Sequence, residues 1–462
     1  MLENFFSPKS VAVIGASRER SSAGQGILRS LLKGGVFRSS TNRPFRGKIY
    51  AVNPKADNIL GVKCYSSVLG IKGKIDLAVI AVPAKIVSKV MKECMQKKIH
   101  AVIIISAGFS EAGQEGKELE KQILEIARKG KIRILGPNCL GLMRPSSNLN
   151  ASFGPCMPKK GDVAFFSQSG ALIDSVIDWS LENNYGFSTV VSIGNKADLT
   201  AEDFLLWAEH DKETKAIALY LEDIKDGGRF MAAAKRVSAK KPIVALKSGR
   251  LETGMKAVSS HTGGLSGSYE IYKTAFRQSG VHIANSVDDL FEMTEALAHQ
   301  PPCRNGIAII TNGGGAGVLC ADHCEELGVK LTELSEHTIR KLDSSGKMHP
   351  AYSRSNPLDL VGDALSERYD TAIDTLLQQK DIYGLIVIQT LQTMTQPILD
   401  AKAVLRARKK YPGKPIITSY MGGKFSREAA ELLEANKVPD FNVPYKAAKA
   451  MKALIDRYLW LH

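Results

Sequence analysis

The sequence predicts an α/β protein with three domains built on parallel sheets, and three observations carry that expectation. Short Val/Ile-rich runs that close on Gly, Pro, Asn or Ser alternate with stretches whose apolar residues recur every three or four positions. The later part of the chain repeats a set of landmarks in the same order. With 462 residues, 44% hydrophobic and 24% charged, the chain is ordinary for a large buried core and too long for one.

From the N-terminus, "SVAVIGAS", "KIYAVNP", "IDLAVIAVP", "AVIIISAG" and "IRILGPN" read as buried strands. Between several of them lie amphipathic stretches such as "AKIVSKVMKECMQKK" and "GKELEKQILEIARKG". This alternation predicts a parallel, doubly wound sheet over residues 1–145. The repeat follows. "GDVAFFSQSGALIDSV" (161–176) resembles "GIAIITNGGGAGVLCA" (306–321), and "NKADLTAED" (195–203) is echoed by "NPLDLVGDA" (356–364). "AIALYLEDI" (216–224) pairs with "GLIVIQTLQ" (384–392), and "KPIVALKSG" (241–249) with "KPIITSYMG" (414–422). Two similar α/β units are therefore expected, at 146–299 and 305–462, joined by the Pro-containing "HQPPCRN".

The bulk properties narrow the function classes. The net charge of +15 is spread along the chain and is not interleaved with aromatics, which favours anionic, phosphorylated small molecules over nucleic acid. No run approaches ~20 uncharged apolar residues and the start lacks a cleavable apolar leader, so no membrane association and a cytoplasmic location are expected. Seven scattered cysteines with no CxxC pair suggest reduced thiols and no metal site.

Three glycine-bearing turns suit anions. In "VIGASRERSSAGQGILRSLL", Gly15 follows a strand and Gly24 and Gly26 precede a helix, a pattern that lets amide groups and a helix dipole meet a phosphate. The second strand ends in Asn53, Pro54 and Lys55 where an NAD domain would carry an acid. A lysine there suits a ribose phosphate, leaving coenzyme A and NADP both open. "FFSQSGAL" and "ITNGGGAGVL" place Ser169–Gly170 and Gly313–Gly314 at helix starts with spare amide donors. His261 differs from the eight other histidines because the Ser/Gly-rich stretch holding it is missing from the second repeat. The first repeat also ends a strand with Glu222, read here as aligned with Gln389 of the second. A carboxylate so placed could orient an imidazole. A histidine in a Gly-rich loop, a supporting Glu and two helix starts together suggest a transient phosphohistidine.

Taken in order, "SVAVIGAS", "NPK", "LAVIAVPA", "IISAGFSEAG", "ILGPNCLG", "FFSQSGAL", "SIGNKADL", "YLEDIKDG", "SSHTGGLSG" and "TNGGGAG" resemble the α subunits of ADP-forming acyl-CoA synthetases, a family typified by archaeal acetate–CoA ligase and related to succinyl-CoA synthetase. The resemblance spans nearly the whole chain. It implies a Rossmann-like CoA-binding domain followed by two flavodoxin-like CoA-ligase domains, with acyl-CoA, ADP and phosphate converted to acid, CoA and ATP. It assigns His261 as the phosphorylated residue, Glu222 as its carboxylate, and the turns at Ser169–Gly170 and Gly313–Gly314 as phosphoryl seats. Gly15, Ser17, Arg18, Gly24, Lys55, Val82 and Pro83 would contact CoA, and Gly108 and Asn138 would line the thioester end. It further implies an ATP-grasp β subunit carrying ADP/ATP and Mg²⁺ in an α2β2 assembly, because the three units use the available chain. A non-catalytic CoA-binding regulator and an NADP-dependent oxidoreductase are the competing readings; the pairing of His261 with Glu222 disfavours the first, and the lack of a hydride-handling site the second.

Overall fold

The computed structural model describes residues 2–256 and 268–462. The chain forms two compact units, Met1–Ile283 and Ala284–His462. His261 lies outside the described residues.

The first unit contains two seven-stranded sheets. In the first, β1 (Ser10–Ile14), β2 (Lys48–Val52), β3 (Asn58–Ile59), β4 (Val62–Tyr65), β5 (Leu77–Ile80), β6 (Ala101–Ile104) and β7 (Arg133–Leu135) run in the order β3-β4-β2-β1-β5-β6-β7. All five residues of β1 are buried, as a strand covered on both faces requires. β1 pairs in parallel with β2 on one side and β5 on the other, in the registers Val11↔Ile49 and Val11↔Leu77. Strand order thus reverses at β1, and the crevice beyond the C-terminal ends of β1 and β5 is where such sheets hold ligands. The helix Ala23–Lys33 that follows β1 buries Ile27, Leu28 and Leu31, starts at a Ser22 cap and stops at Gly34 in the left-handed region, φ 91°. The predicted parallel sheet is present, with the short β3–β4 hairpin added at its edge.

The second sheet comprises β8 (Gly141–Arg144), β9 (Leu149–Ser152), β10 (Lys159–Ser167), β11 (Gly186–Ser192), β12 (Ala216–Leu221), β13 (Ile243–Lys247) and β14 (Val281–Ala284), ordered β14-β13-β12-β10-β11-β8-β9. Its centre is parallel, while β8 and β9 form an antiparallel hairpin at one edge. This hairpin enters the second sheet from Gly141, directly after the first sheet ends.

In the second unit, β15 (Ala308–Thr311), β16 (Leu358–Asp359), β17 (Leu385–Thr390) and β18 (Ile416–Met421) make a four-stranded parallel sheet ordered β16-β15-β17-β18. Leu385, Val387 and Ile416 face a core shared with Tyr369, Ile373, Val404 and Leu433. The helix Val287–His299 packs against the helix Pro444–Leu461 in this unit, with Lys446 pairing Glu292 at 2.5 Å. Among the described residues no helix is long and apolar enough to cross a membrane. All seven cysteines are buried and unpaired.

Candidate active site

The crevice at the reversal point is closed by backbone contact. Gly15 sits at φ 91° and its N–H donates to the Val52 carbonyl at 3.0 Å. A Cβ on Gly15 would lie 2.3 Å from the Ala81 oxygen and 2.8 Å from Val82 Cγ1, and one on Gly24 would lie 1.9 Å from the Gly15 oxygen. Only glycine lets these three chain segments meet. The Asn53 amide donates to the Ala16 carbonyl at 2.7 Å, and its oxygen accepts the Lys55 N–H at 2.7 Å. That bridge draws the second strand end to the first turn and leaves Lys55 exposed at the rim. Ser17 Oγ accepts the Glu19 N–H at 3.1 Å, and Arg18 Nε donates to the Asn58 carbonyl at 3.4 Å. Pro83 leads into the helix Ala84–Gln96, and the Val82 carbonyl accepts from Ser106 Oγ. The seven residues assigned to CoA therefore gather on one rim.

A second group borders this rim. Gly108, at φ 101°, donates its N–H to Glu111 Oε1 at 2.6 Å. Phe109 N–H donates to the same carboxylate at 3.2 Å, and Asn195 Nδ2 donates to it from a segment far along the chain. Burial would raise the Glu111 carboxyl, but the donors from Asn195, Gly108 and Phe109 hold it below its ordinary range. Asn138, also left-handed at φ 56°, donates from Nδ2 to Asn195 Oδ1 at 3.3 Å. Gly108 and Asn138 are thus joined through Glu111 and Asn195, two residues the sequence reading did not single out.

The Ser169–Gly170 turn of the first repeat abuts this group. A Cβ on Gly170 would meet Leu140 Cβ at 3.3 Å and Ser192 Oγ at 3.6 Å, and Leu140 N–H donates to Ser192 Oγ at 2.9 Å. Ser169 caps the helix Gly170–Glu182 by accepting the Leu172 N–H at 3.2 Å, one of the N-terminal amide groups that has no partner within the helix. Beside the turn, Gln168 Nε2 donates to the Asp223 carbonyl at 2.8 Å, and its Oε1 accepts the Glu222 and Asp223 N–H groups at 2.7 and 3.1 Å. Lys196 pairs with the Asp223 carboxylate. Glu222 is 7% exposed. Lys247, at the end of β13, is buried with its Nζ 4.5 Å from the Tyr272 ring centroid, and burial pushes its ammonium down, partly offset by Asp223 and Glu222.

The second repeat rebuilds the turn within its own unit. Gly313 N–H donates to Thr311 Oγ1, which donates back to the Gly313 carbonyl, both at 3.0 Å; in the first repeat Ser169 N–H and Ser167 Oγ do the same at 3.0 and 2.8 Å. Asn312 donates from Nδ2 to the Thr390 carbonyl at 2.9 Å and accepts the Thr390 N–H at 2.7 Å. The helix Gly314–Glu326 starts without a side-chain cap. This register corrects the alignment of the two strand ends. The residue whose N–H meets the turn's amide is Glu222 in one copy and Thr390 in the other, so Thr390, and not Gln389, stands where Glu222 stands. Gln389 alternates onto the opposite face with Leu385 and Val387 and is fully buried.

Among the described residues no group of three or more His, Cys, Asp or Glu side chains could hold a metal ion. The arrangement offers a glycine-closed turn at the strand-order reversal, the Gly108 loop around the Glu111 carboxylate, and a helix start beside the strand end that carries Glu222.

Comparison with known proteins gives this arrangement a family. A CoA binding domain matches residues 9–145, a succinyl-CoA ligase like flavodoxin domain residues 160–297, and a Ligase-CoA domain residues 307–462. The chain is 43% identical to the alpha subunit of the ADP-forming acetate–CoA ligase II of Pyrococcus furiosus, covering 99% of this chain and 98% of that one. It is 42% identical to the ADP-forming acetate–CoA ligase I of Archaeoglobus fulgidus, covering 98% of this chain and 63% of that longer one. In structure it superposes with a TM-score of 0.92 and 37% identity on acetyl-coenzyme A synthetase 1 of Ca. Korarchaeum cryptofilum, solved with phosphate and ADP, over 100% of this chain and 97% of that one. The chain belongs to the ADP-forming acetate–CoA ligase family, on the side of its alpha subunits.

Proposed function

We propose that this chain is the alpha subunit of an ADP-forming acyl-CoA synthetase that converts acyl-CoA, ADP and phosphate to the free acid, CoA and ATP through an acyl phosphate and a phosphohistidine at His261. The observation that carries the reading is the junction in the first unit, where the glycine-closed CoA crevice, the Gly108 and Asn138 loops and the Ser169–Gly170 helix start adjoin. CoA lies along the rim of Gly15, Ser17, Arg18, Gly24, Lys55, Val82 and Pro83. Gly15 and Gly24 fit this reading because only glycine lets the first turn, its helix start and the Ala81–Val82 strand end come together there. Lys55 answers a ribose phosphate.

Phosphate held at the helix start attacks the thioester carbonyl carbon; the C–S bond breaks and the thiolate leaves to take a proton. Gly108 and Asn138 line the thioester end of the acyl-CoA. The imidazole of His261 then attacks phosphorus, the P–O bond to the acyl group breaks, and the carboxylate leaves. Glu222 orients the imidazole and stabilises its charge as that bond forms. Gly313–Gly314 gives a second seat for the phosphoryl group. ADP finally accepts it through a β-phosphate oxygen on an ATP-grasp β subunit, which also supplies Mg²⁺.

A separate partner subunit is supported by the near full-length match to a relative named as a subunit alpha, and α2β2 is the proposed assembly. Acetate is the proposed acid, after the same relatives. Seven unpaired thiols favour a reducing, cytoplasmic setting.

The test is ATP formation from acetyl-CoA, ADP and phosphate by the chain combined with an ATP-grasp partner. Glu222→Gln is expected to slow turnover roughly 10²-fold while leaving the Kd for CoA unchanged. A Glu222→Gln enzyme as fast as wild type would remove that residue from the mechanism, and no ATP from the wild-type pair would remove the function.

A further inference from the structure

The backbone at the strand end that carries Glu222 is held by one side chain. Gln168 leaves β10 between the two serines of the phosphate turn and reaches the end of β12. There its amide makes three hydrogen bonds of 2.7 to 3.1 Å, all to the backbone of Glu222 and Asp223. Both amide atoms are used, one as donor and one as a shared acceptor, so side chain and strand end are held at a fixed separation and angle. Asp223 is gripped a second time by Lys196, itself in the left-handed region at φ 58° and 7% exposed.

This device does more than close a sheet. The backbone pairing of β10 with β12 ends at Ser167↔Tyr220, and Gln168 N–H adds one last bond to the Tyr220 carbonyl at 3.1 Å. Beyond that point the two chains would diverge, one into the helix Gly170–Glu182 and the other into the segment before the helix Gly227–Ser238. The Gln168 amide extends the junction by two residues beyond β12, holding the backbone of Glu222 and Asp223. The second repeat contains the same junction one unit later. Asn312 occupies the same place in the turn and bonds the Thr390 backbone at 2.7 and 2.9 Å. There the held residue is a threonine, whose hydroxyl also donates to Asn312 at 3.0 Å. The scaffold is shared; what differs is the group it presents.

We propose that Gln168 is a positioning residue for the phosphoryl-transfer step, holding the strand end that carries Glu222 at a fixed place beside the Ser169–Gly170 turn. The assignment rests on the function proposed above. Gln168 itself touches no reacting atom, and all of its effect passes through Glu222.

A double-mutant cycle on phosphoenzyme formation tests this. The wild-type chain, Gln168→Ala, Glu222→Gln and the double variant are each combined with the ATP-grasp partner, Mg²⁺ and γ-labelled ATP, and the initial rate of base-stable labelling is measured. The Kd for CoA is measured alongside. Gln168→Ala is expected to slow labelling 10- to 100-fold with the Kd for CoA within twofold of wild type. Adding it to Glu222→Gln is expected to slow the rate by no more than a further twofold. Gln168→Glu keeps an acceptor for both N–H groups and loses the donor to the Asp223 carbonyl, so its rate is expected between wild type and Gln168→Ala. A merely structural role predicts effects that multiply in the double variant, or a CoA affinity that falls together with the labelling rate; either overturns the proposal, as does a Gln168→Ala rate equal to wild type. Should Gln168→Ala fail to fold, Gln168→Glu alone decides, with slowed labelling at unchanged CoA affinity supporting the proposal and any other result opposing it. A wild-type chain that takes up no label removes the functional reading and this assignment with it, whereas normal wild-type labelling with a multiplicative cycle removes the assignment alone.

Discussion

Gly24→Ala is expected to weaken CoA binding more than tenfold and to destabilise the first unit by roughly 3 kcal/mol or more. The added Cβ would stand 1.9 Å from the Gly15 carbonyl oxygen, so the helix start and the strand end cannot both stay where they are. Neither can yield through a side chain, since the clash is with backbone. Gly15 cannot retreat either, because its own position already closes on the Ala81 oxygen. The helix must move outward, carrying its first amide groups away from the place proposed for the CoA phosphate. Gly315→Ala is the control. It also lies in the first turn of a helix, but an added Cβ there meets nothing within 4 Å, and a small effect on stability is expected. Isothermal titration with CoA and thermal melting of both variants measure the contrast, and equal behaviour of the two would contradict it.

The second large effect concerns a carboxyl the mechanism does not use. Asp400 is fully buried, and neither of its oxygens has a hydrogen-bond partner among the described residues. Burial pushes it up to about 7. Tyr369 and Tyr420 are charge-coupled to it, and the Tyr420 hydroxyl is likewise without a partner. A carboxyl that ionises near 3.9 in the unfolded chain and near 7 in the fold favours the folded state when protonated. Its contribution is therefore complete below about pH 4 and is lost as pH rises to about 7, leaving a penalty on the order of 2–4 kcal/mol above that. Asp400→Asn removes the titration. It is expected to raise the melting temperature of the second unit by several degrees at pH 8 and to change it little or lower it at pH 4.5. Melting curves across that range decide the point, and a stabilisation independent of pH would show that ionisation of Asp400 is not the cause.

Much of this architecture is legible in the sequence, for reasons that are local. β1 and β5 are continuous apolar runs because both sheet faces are covered, and the helix Ala84–Gln96 shows its buried Val87, Met91 and Cys94 at the expected spacing. The repeat is visible because both copies must release a strand into a capped or glycine-started helix. What the sequence hides is long-range. Glu111 and Asn195 lie 84 residues apart, and no pattern in either segment announces the contact. Gln168 stands in a quoted motif, yet its role depends on a strand end that only folding brings near. The pairing of Glu222 with Gln389 went wrong by a single position, which in a strand reverses the face a side chain occupies. The edge hairpin β8–β9 is hidden in the sequence because the alternation of strand and helix gives no sign of an antiparallel addition.

The most direct measurement is the chemical identity and position of the phosphoryl group after the chain is mixed with a candidate ATP-grasp partner, Mg²⁺ and γ-labelled ATP. The label is expected to be acid-labile and base-stable, to map by peptide analysis to the segment containing His261, to disappear in His261→Ala, and to be discharged by acetate and CoA with formation of acetyl-CoA. Label that persists in His261→Ala, or that is stable to acid and found elsewhere in the chain, would contradict the account.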